Sequence, residues 1–286
     1  MSKVEVRAID AQGNRITDRF ALLKKHKRAG LVAFVTANDP TPGVFMDILE
    51  GLPSAGADLI EIGIPFSDPM ADGPSIQLSS QRSLKHGTKI DDVLEAVSEF
   101  RRSELATPII LMGYYNPIYH YGDQEFAEAA AKAGVDGVII VDLPPEEAEE
   151  LNVHLRANGI AMIFLAAPTS SDERLPTILN NASGFVYYVA IAGITGTATA
   201  DVAAVETAMA RMRRHTDLPV VVGFGIKTPE QARAISRHCD AAVVGSAIVD
   251  VIAQGLNADG KPDPTLSTKV LEFVKTLATG VHGAWP

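Results

Sequence analysis

Residues 55–63 read AGADLIEIG, and this stretch joins the end of a helix to a short apolar strand. The glycine of the Ala-Gly dipeptide ends the helix, and a run rich in isoleucine follows at once. The same arrangement returns in AGVDGVIIV at 133–141. A helix that ends on glycine and leads directly into an apolar strand is typical of the βαβ units that build a parallel sheet.

Eight such apolar runs lie along the chain, and segments with helical spacing separate them. The runs begin at Leu31, Asp58, Pro108, Gly137, Ile160, Gly184, Pro219 and Ala241. Several are apolar at both alternating positions, as expected of strands that are covered on both faces. Eight strands alternating with helices favour an α/β fold, a closed (β/α)8 TIM barrel, over an open doubly wound sheet. We predict one such domain over 1–286.

Three segments lie outside the eight repeats. A helix around 16–28 is predicted to cap the end of the barrel opposite the active site. The loop after the second strand leads into two helices, at 75–87 and 90–102. The polar stretch NADGKPDP at 257–264 precedes a last amphipathic helix, whose apolar residues are Leu266, Val270, Leu271, Val274 and Leu277.

The composition limits the function classes. The chain of 286 residues has a net charge of −10, which disfavours nucleic acid and anionic membranes as partners because both attract basic surfaces. It has one cysteine, Cys239, so an internal disulfide is excluded and a reducing compartment is favoured. No apolar run approaches the roughly 20 residues that span a bilayer, and the first 20 residues lack the apolar segment of a signal peptide. We expect a cytoplasmic protein.

Glu61 is a carboxylate inside an apolar strand. Ile60 and Ile62 share one side of that strand and suit its helix-covered face, so Glu61 is predicted to point into the barrel near the active-site end. Burial there would raise its pKa and suit it to proton transfer near neutral pH. The alternative is a glutamate turned toward solvent or a salt bridge, and position alone does not separate the two.

The loop that follows, PFSDPMADGPS at 65–75, is acidic and carries three prolines. Asp68 and Asp72 are typical turn or cap residues in such a loop. The prolines reduce the conformational freedom of the loop, which would help to hold an acid over a substrate. Both interpretations stay open at this point.

Glycines follow the seventh and eighth predicted strands, in VVVGFGI at 220–226 and VVGSAI at 243–248. Exposed N–H groups at such turns can bind phosphate, and because both strands end alike we favour this over the alternative that the glycines serve only as tight turns. The segment AGITGTATA at 192–200 could close over a ligand or be a plain connection. The seven histidines are scattered without metal-ligand spacing, so no metal site is predicted.

These motifs together resemble the tryptophan synthase alpha subunit family. The shared segments occur in order over almost the whole chain, and the pattern PFSDPxADGPxIQ is highly specific; they are FVTANDP, EIGIPFSDPMADGPSIQ, GYYNPI, GITGT, GFGI and VGSAIV. The resemblance implies a lyase of tryptophan biosynthesis that cleaves indole-3-glycerol phosphate to indole and D-glyceraldehyde 3-phosphate.

The resemblance also implies roles for individual residues. It makes Glu61 the catalytic acid and base, and Asp72 the carboxylate that faces the indole N–H. The substrate-binding residues would be Phe34, Leu111, Tyr114, Tyr187 and the lid residue Thr195. The phosphate would be bound by Gly196, Gly225, Gly245 and Ser246, while Asp68 would reach toward a partner subunit.

That partner is a beta subunit that carries pyridoxal phosphate and makes L-tryptophan from indole and L-serine. The resemblance implies an α2β2 heterotetramer and no cofactor in this chain. One departure is that the segment around Ala190, Ile191 and Ala198 lacks the basic or hydroxylated residues of many relatives. Two alternatives are a non-catalytic barrel that binds or activates the beta subunit, and another phosphate-binding barrel enzyme. The carboxylates argue against the first, and the lack of strand-end lysines other than Lys227 argues against the second.

Overall fold

The computed structural model describes residues 14–190, 202–223 and 225–284. Within these ranges nine parallel strands form one sheet in the order β5-β4-β3-β2-β1-β9-β8-β7-β6. The strands are β1 Gly30–Thr36, β2 Leu59–Gly63, β3 Ile109–Gly113, β4 Gly137–Ile140, β5 Ala161–Ile163, β6 Leu165–Ala166, β7 Val186–Val189, β8 Val220–Gly223 and β9 Ala241–Val244.

Twelve helices of the described residues surround the sheet. They are α1 Arg15–Lys25, α2 Pro42–Gly51, α3 Pro74–Leu84, α4 Ile90–Phe100, α5 Tyr115–Tyr121, α6 Asp123–Ala133, α7 Glu149–Ala157, α8 Leu175–Asn181, α9 Val202–Met212, α10 Pro229–Ser236, α11 Ser246–Gln254 and α12 Leu266–His282. No helix in this part of the chain is long and apolar enough to cross a membrane.

The two edge strands of the sheet, β5 and β6, are consecutive in the chain, so the sheet closes into a barrel. β5 and β6 are the halves of one predicted strand, which is interrupted at Phe164. Across this seam the Tyr187 N–H donates to the Phe164 carbonyl over 3.1 Å, and the Ser183 N–H donates to the Met162 carbonyl over 2.9 Å. The predicted (β/α)8 barrel is therefore confirmed, with one strand split in two.

Helix α1 closes the lower end of the barrel, where the strands begin. Its buried residues Ile16, Phe20 and Leu23 pack against apolar side chains that fill the barrel interior. Asn14 holds the helix in place: its Oδ1 accepts from the Ile16 N–H, and its Nδ2 donates to the carbonyls of Asp136 and Gly159 over 3.1 Å each. The predicted capping helix is confirmed.

The alternation of side chains along β2 is also as predicted. Ile60 and Ile62 lie in the apolar layer between sheet and helices. Leu59, on the other side of the strand, packs inside the barrel. Glu61 shares that side and therefore points inward, at the upper end where the strands finish.

The extra helices form where the sequence predicts them. α3 and α4 follow the loop after β2, and α12 packs against α2, α10 and α11. Gly56 and Gly134 have positive φ angles, of 100° and 94°, which is why glycine stands at those two helix-to-strand junctions. That the whole of 1–286 forms one domain stays a prediction.

Candidate active site

A cavity of about 590 Å³, open to solvent, lies at the upper end of the barrel. Acidic and aromatic side chains line one part of it, and glycines of the last two βα turns line another. The lining residues are Phe34, Glu61, Asp72, Ile76, Met112, Leu165, Tyr187, Gly225, Ile226, Val243, Gly245 and Ser246.

Glu61 is fully buried at one side of this cavity. Neither of its carboxyl oxygens has a hydrogen-bond partner among the described residues. Burial raises the pKa of Glu61 to about 8. The Glu61 carboxyl is therefore mainly protonated at neutral pH, and its proton has no acceptor among the described residues. Such a carboxyl can deliver a proton to a bound molecule and afterwards take one back.

The backbone beside Glu61 fixes the position of an aromatic ring. Phe34 of β1 is the register partner of Glu61 in β2. A Cβ atom built on Gly63 would lie 2.6 Å from the Phe34 ring, and one on Gly245 would touch the Phe34 side chain at 3.4 Å. Glycine at residue 63 therefore leaves the room that the Phe34 ring occupies beside Glu61.

Asp72 reaches the cavity from the loop between β2 and α3. The Tyr114 hydroxyl donates to Asp72 Oδ2 over 3.1 Å and accepts from the Ala71 N–H over 2.9 Å. The Tyr114 ring stacks on Phe66 with centroids 5.2 Å apart. Burial raises the pKa of Asp72 to about 6, although the hydrogen bond from Tyr114 lowers it. Asp72 is therefore mainly ionised at neutral pH, whereas Glu61 is mainly protonated.

Tyr187 of β7 crosses the cavity toward β8. A Cβ atom on Gly223 would overlap the Tyr187 ring and hydroxyl, so this glycine makes room for the tyrosine. The pKa of Tyr187 is raised by burial and by the charges of Glu61 and Asp72. The hydroxyl is therefore neutral at physiological pH, and Tyr187 lies within electrostatic reach of both acids.

The glycine part of the cavity offers backbone donors. Gly225 has a φ of 72°, a conformation that favours glycine, and Gly245 is the N-cap of α11, which begins at Ser246. The first N–H groups of a helix have no partner within the helix and are suited to an anion. No lysine or arginine is among the described residues that line the cavity, so backbone dipoles would carry this attraction.

The structure brings most of the predicted site residues together, but not Leu111. Leu111 is fully buried in the layer that faces the helices. The side chain of its neighbour Met112 points into the barrel from β3 and lines the cavity instead. The prediction of Leu111 as a pocket residue is therefore wrong by one position, which exchanges the two faces of a strand.

Four further predicted residues do not line this cavity or are not among the residues that the structure describes. Tyr114 lines a second cavity of about 290 Å³, which shares Phe34 and Asp72 with the first. Asp68 is exposed on the loop, where its carboxylate accepts a hydrogen bond from the Ser67 hydroxyl, and it does not line either cavity. Thr195 and Gly196 lie outside the described residues.

Sequence analysis missed several apolar lining residues: Ile76, Met112, Leu165, Ile226 and Val243. The register of β3 with β2 sets the inward position of Met112, because Glu61 pairs with Ile110 and every second residue of β3 shares the side of Ile110. No group of three or more His, Cys, Asp or Glu in the described ranges could hold a metal ion.

Comparison with known proteins gives one consistent result. A family model described as tryptophan synthase alpha chain matches residues 20–281. The structure is similar to tryptophan synthase subunit alpha from Legionella pneumophila, with 37% identity, a TM-score of 0.85 and coverage of 94% of this chain and 98% of that one. A protein of Aquifex aeolicus is 34% identical, with a TM-score of 0.85 and coverage of 94% and 100%. A chain of Mycobacterium tuberculosis tryptophan synthase is 30% identical, with a TM-score of 0.84 and coverage of 95% and 99%.

Proposed function

This chain belongs to the tryptophan synthase alpha chain family, and we propose that Glu61 and Asp72 together perform its reaction. The reaction is the retro-aldol cleavage of indole-3-glycerol phosphate to indole and D-glyceraldehyde 3-phosphate, so the protein is a lyase. The observation that carries the assignment is the fully buried carboxyl of Glu61, without a described partner, in the same cavity as the glycine turns.

The two parts of the cavity match the two ends of this substrate. An indole ring is flat and apolar, and it suits the part lined by Phe34, Ile76 and Met112. The phosphate suits the backbone donors around Gly225, Gly245 and Ser246. Because those donors are neutral, they bind the anion without adding a positive side chain that would lower the raised pKa of Glu61.

The cleavage needs two proton transfers that one carboxyl can perform in turn. Protonated Glu61 delivers a proton to C3 of the indole ring, which leaves a positive charge spread toward the ring nitrogen. The resulting carboxylate then removes the proton from the hydroxyl on the carbon attached to C3. As that C–O becomes an aldehyde, the C–C bond breaks and its electrons restore the neutral indole.

Asp72 has a separate role in this scheme. The indole N–H becomes more acidic as positive charge develops, and an ionised carboxylate that accepts its hydrogen bond stabilises the intermediate. The different protonation states of Asp72 and Glu61 at neutral pH suit this division, since one residue must carry a proton and the other a charge.

The substitution Glu61→Gln tests the assignment directly. The amide keeps the shape of the protonated acid but cannot transfer the proton, so kcat for indole release should fall by about 10³-fold. Binding of indole-3-glycerol phosphate, measured by calorimetry, should be retained. The exposed residue Glu50 gives the matched control Glu50→Gln, which should keep full activity. Normal turnover of the Glu61 variant would refute the role.

The family implies a beta subunit as partner. We propose further that the assembly is an α2β2 heterotetramer in the cytoplasm, that pyridoxal phosphate is bound by the beta subunit alone, and that indole passes to it. The single cysteine agrees with that location. Light scattering of the mixed subunits tests the stoichiometry, and a mass of one alpha and one beta chain would contradict it.

A further inference from the structure

Helix α3 begins two residues after Asp72, and one face of it is bonded to the loop that follows β1. Each contact uses at least one side chain, and the contacts involve residues 79–86, in the second half of α3 and just past its end; Thr36 is the last residue of β1 itself. They join Thr36 to Ser79 (2.6 Å), Ser83 to the Ala37 carbonyl (2.5 Å), Arg82 to Asp39 (2.6 and 2.9 Å) and His86 to the Pro40 carbonyl (2.7 Å).

The pair Arg82–Asp39 is the strongest of these contacts. Two guanidinium nitrogens of Arg82, Nε and Nη2, each donate to a different oxygen of Asp39. Asp39 is 1% exposed, so its carboxylate is shielded from water, and the two-point contact fixes the geometry of the pair in two directions. The helix therefore cannot slide or turn on β1 without breaking this fork.

A second contact joins the same helix to the catalytic loop. Gln77 Nε2 donates to the backbone carbonyl of Asp72 over 2.8 Å. The loop is thus tied to the helix at Asp72 itself. At the other end of the connection, β1 pairs with β2 and places Phe34 opposite Glu61.

We infer that α3 is a strut that sets the position of Asp72 relative to Glu61, with Gln77 and Arg82 as positioning residues. The strut runs from Glu61 through β1 and the Asp39–Arg82 fork to α3, and from there through Gln77 to Asp72. This inference rests on the proposed roles of the two acids. Its physical basis is that a misplacement of about 1 Å at a reacting centre can cost up to roughly 10²-fold in rate.

The primary test is Gln77→Met, which keeps the length of the side chain and removes its donor. We expect kcat for indole release to fall by about 10-fold, with KM changed less than about threefold, because Asp72 acts mainly as charge develops. The matched control is Gln81→Met, the same substitution one turn along α3 at an exposed position. It should leave both constants unchanged.

A double-mutant cycle separates positioning from general damage to the fold. In a chain that carries Asp72→Ala, the further change Gln77→Met should have no effect on kcat, since the carboxylate that it positions is gone. If Gln77→Met lowers kcat equally in both backgrounds, the residue does not act through Asp72 and the strut is refuted.

The fork is tested by Arg82→Lys, which keeps the charge and loses the two-point geometry. The matched control is Arg101→Lys, which disturbs a buried ion pair with Asp136 at the lower end of the barrel. Both should lower the melting temperature, but only Arg82→Lys should lower kcat of the folded protein, by about 10-fold. Equal kcat in the two variants would refute the role of Arg82. A wild-type chain that releases no indole would instead overturn the proposed function itself.

Discussion

The buried carboxyl of Glu61 makes the stability of this protein depend on pH. In the folded chain its pKa is raised to about 8, whereas in the unfolded chain it returns to its ordinary value near 4.5. Between these values the native state holds a proton that the unfolded state has lost. The free energy of unfolding therefore falls as pH rises through this window, by up to about 1.4 kcal/mol per pH unit from this group.

The variant Glu61→Gln isolates that contribution. Its amide does not titrate, so its free energy of unfolding should exceed that of the wild type by an amount that grows from pH 5 to pH 8. Urea unfolding of both chains at pH 5, 6.5 and 8 measures the difference, in which titration of all other groups cancels. A difference that is constant with pH would show that Glu61 ionises normally in the folded protein.

Tyr114 holds Asp72 through its hydroxyl, and Tyr114→Phe removes that donor. Since the hydrogen bond lowers the pKa of Asp72, its loss should raise that pKa and move the acid limb of kcat/KM to higher pH. At pH 7 we expect kcat/KM to fall by roughly fivefold.

The adjacent residue provides the control for this prediction. Tyr115→Phe removes a similar hydrogen bond, from the Tyr115 hydroxyl to Asp123 over 2.8 Å, outside both cavities. It should leave the acid limb in place. If kcat/KM of the two variants depended on pH in the same way, Tyr114 would not influence the ionisation of Asp72.

At the scale of single elements, sequence patterns predicted the type and order of the helices and strands well. The residue of β3 that the family resemblance assigned to the pocket, Leu111, lies on the other face of its strand. In β2 the isoleucines at 60 and 62 leave only one side for Glu61, so its orientation follows from the pattern. In β3 the run IILM is apolar on both sides, and nothing local says which of Leu111 and Met112 faces inward. The answer is in the register with β2, which is a tertiary property.

Two further features of the elements depend on long-range packing. The break at Phe164 lies where the two edges of the sheet meet, and the apolar run 160–166 carries no glycine or proline that would signal it. The fork between Arg82 and Asp39 joins residues 43 positions apart. Periodicity placed α3 correctly as a helix, but it could not show what its polar face contacts.

The first turn of α1 allows a prediction that separates stability from activity. Asn14→Ala removes the N-cap and both donors to the neighbouring carbonyls, which should cost about 1–2 kcal/mol in the free energy of unfolding. Asn14→Ser keeps a capping oxygen and should cost less. Both variants should keep the wild-type kcat because the helix lies at the opposite end from the cavity. Urea unfolding and indole release measure the two quantities, and a loss of kcat in the folded Ala variant would contradict this separation.

At the scale of the whole molecule, the surface beside the active site suggests where a partner docks. Three large apolar side chains stand exposed after the upper ends of β2 and β3: Met70 is 75%, Leu78 53% and Tyr119 68% exposed. Asp68 is exposed in the same loop as Met70. Exposed apolar side chains beside an active site are typical of a surface that a partner covers. Since the family implies a beta subunit, we expect it to dock there and to order the loop that carries Asp72.

Leu78→Lys tests this surface without touching the reaction. Leu78 lines neither cavity, so the isolated chain should keep its activity. A lysine on the proposed docking surface should weaken binding of the beta subunit by about 10-fold or more, and it should raise the concentration of that subunit needed to stimulate indole release. The control Leu105→Lys places the same charge at a residue 69% exposed before the lower end of β3. If both variants respond alike to the beta subunit, the partner does not cover the upper end of the barrel. The stimulation that we expect from ordering of the loop that carries Asp72 must then arise elsewhere on the barrel.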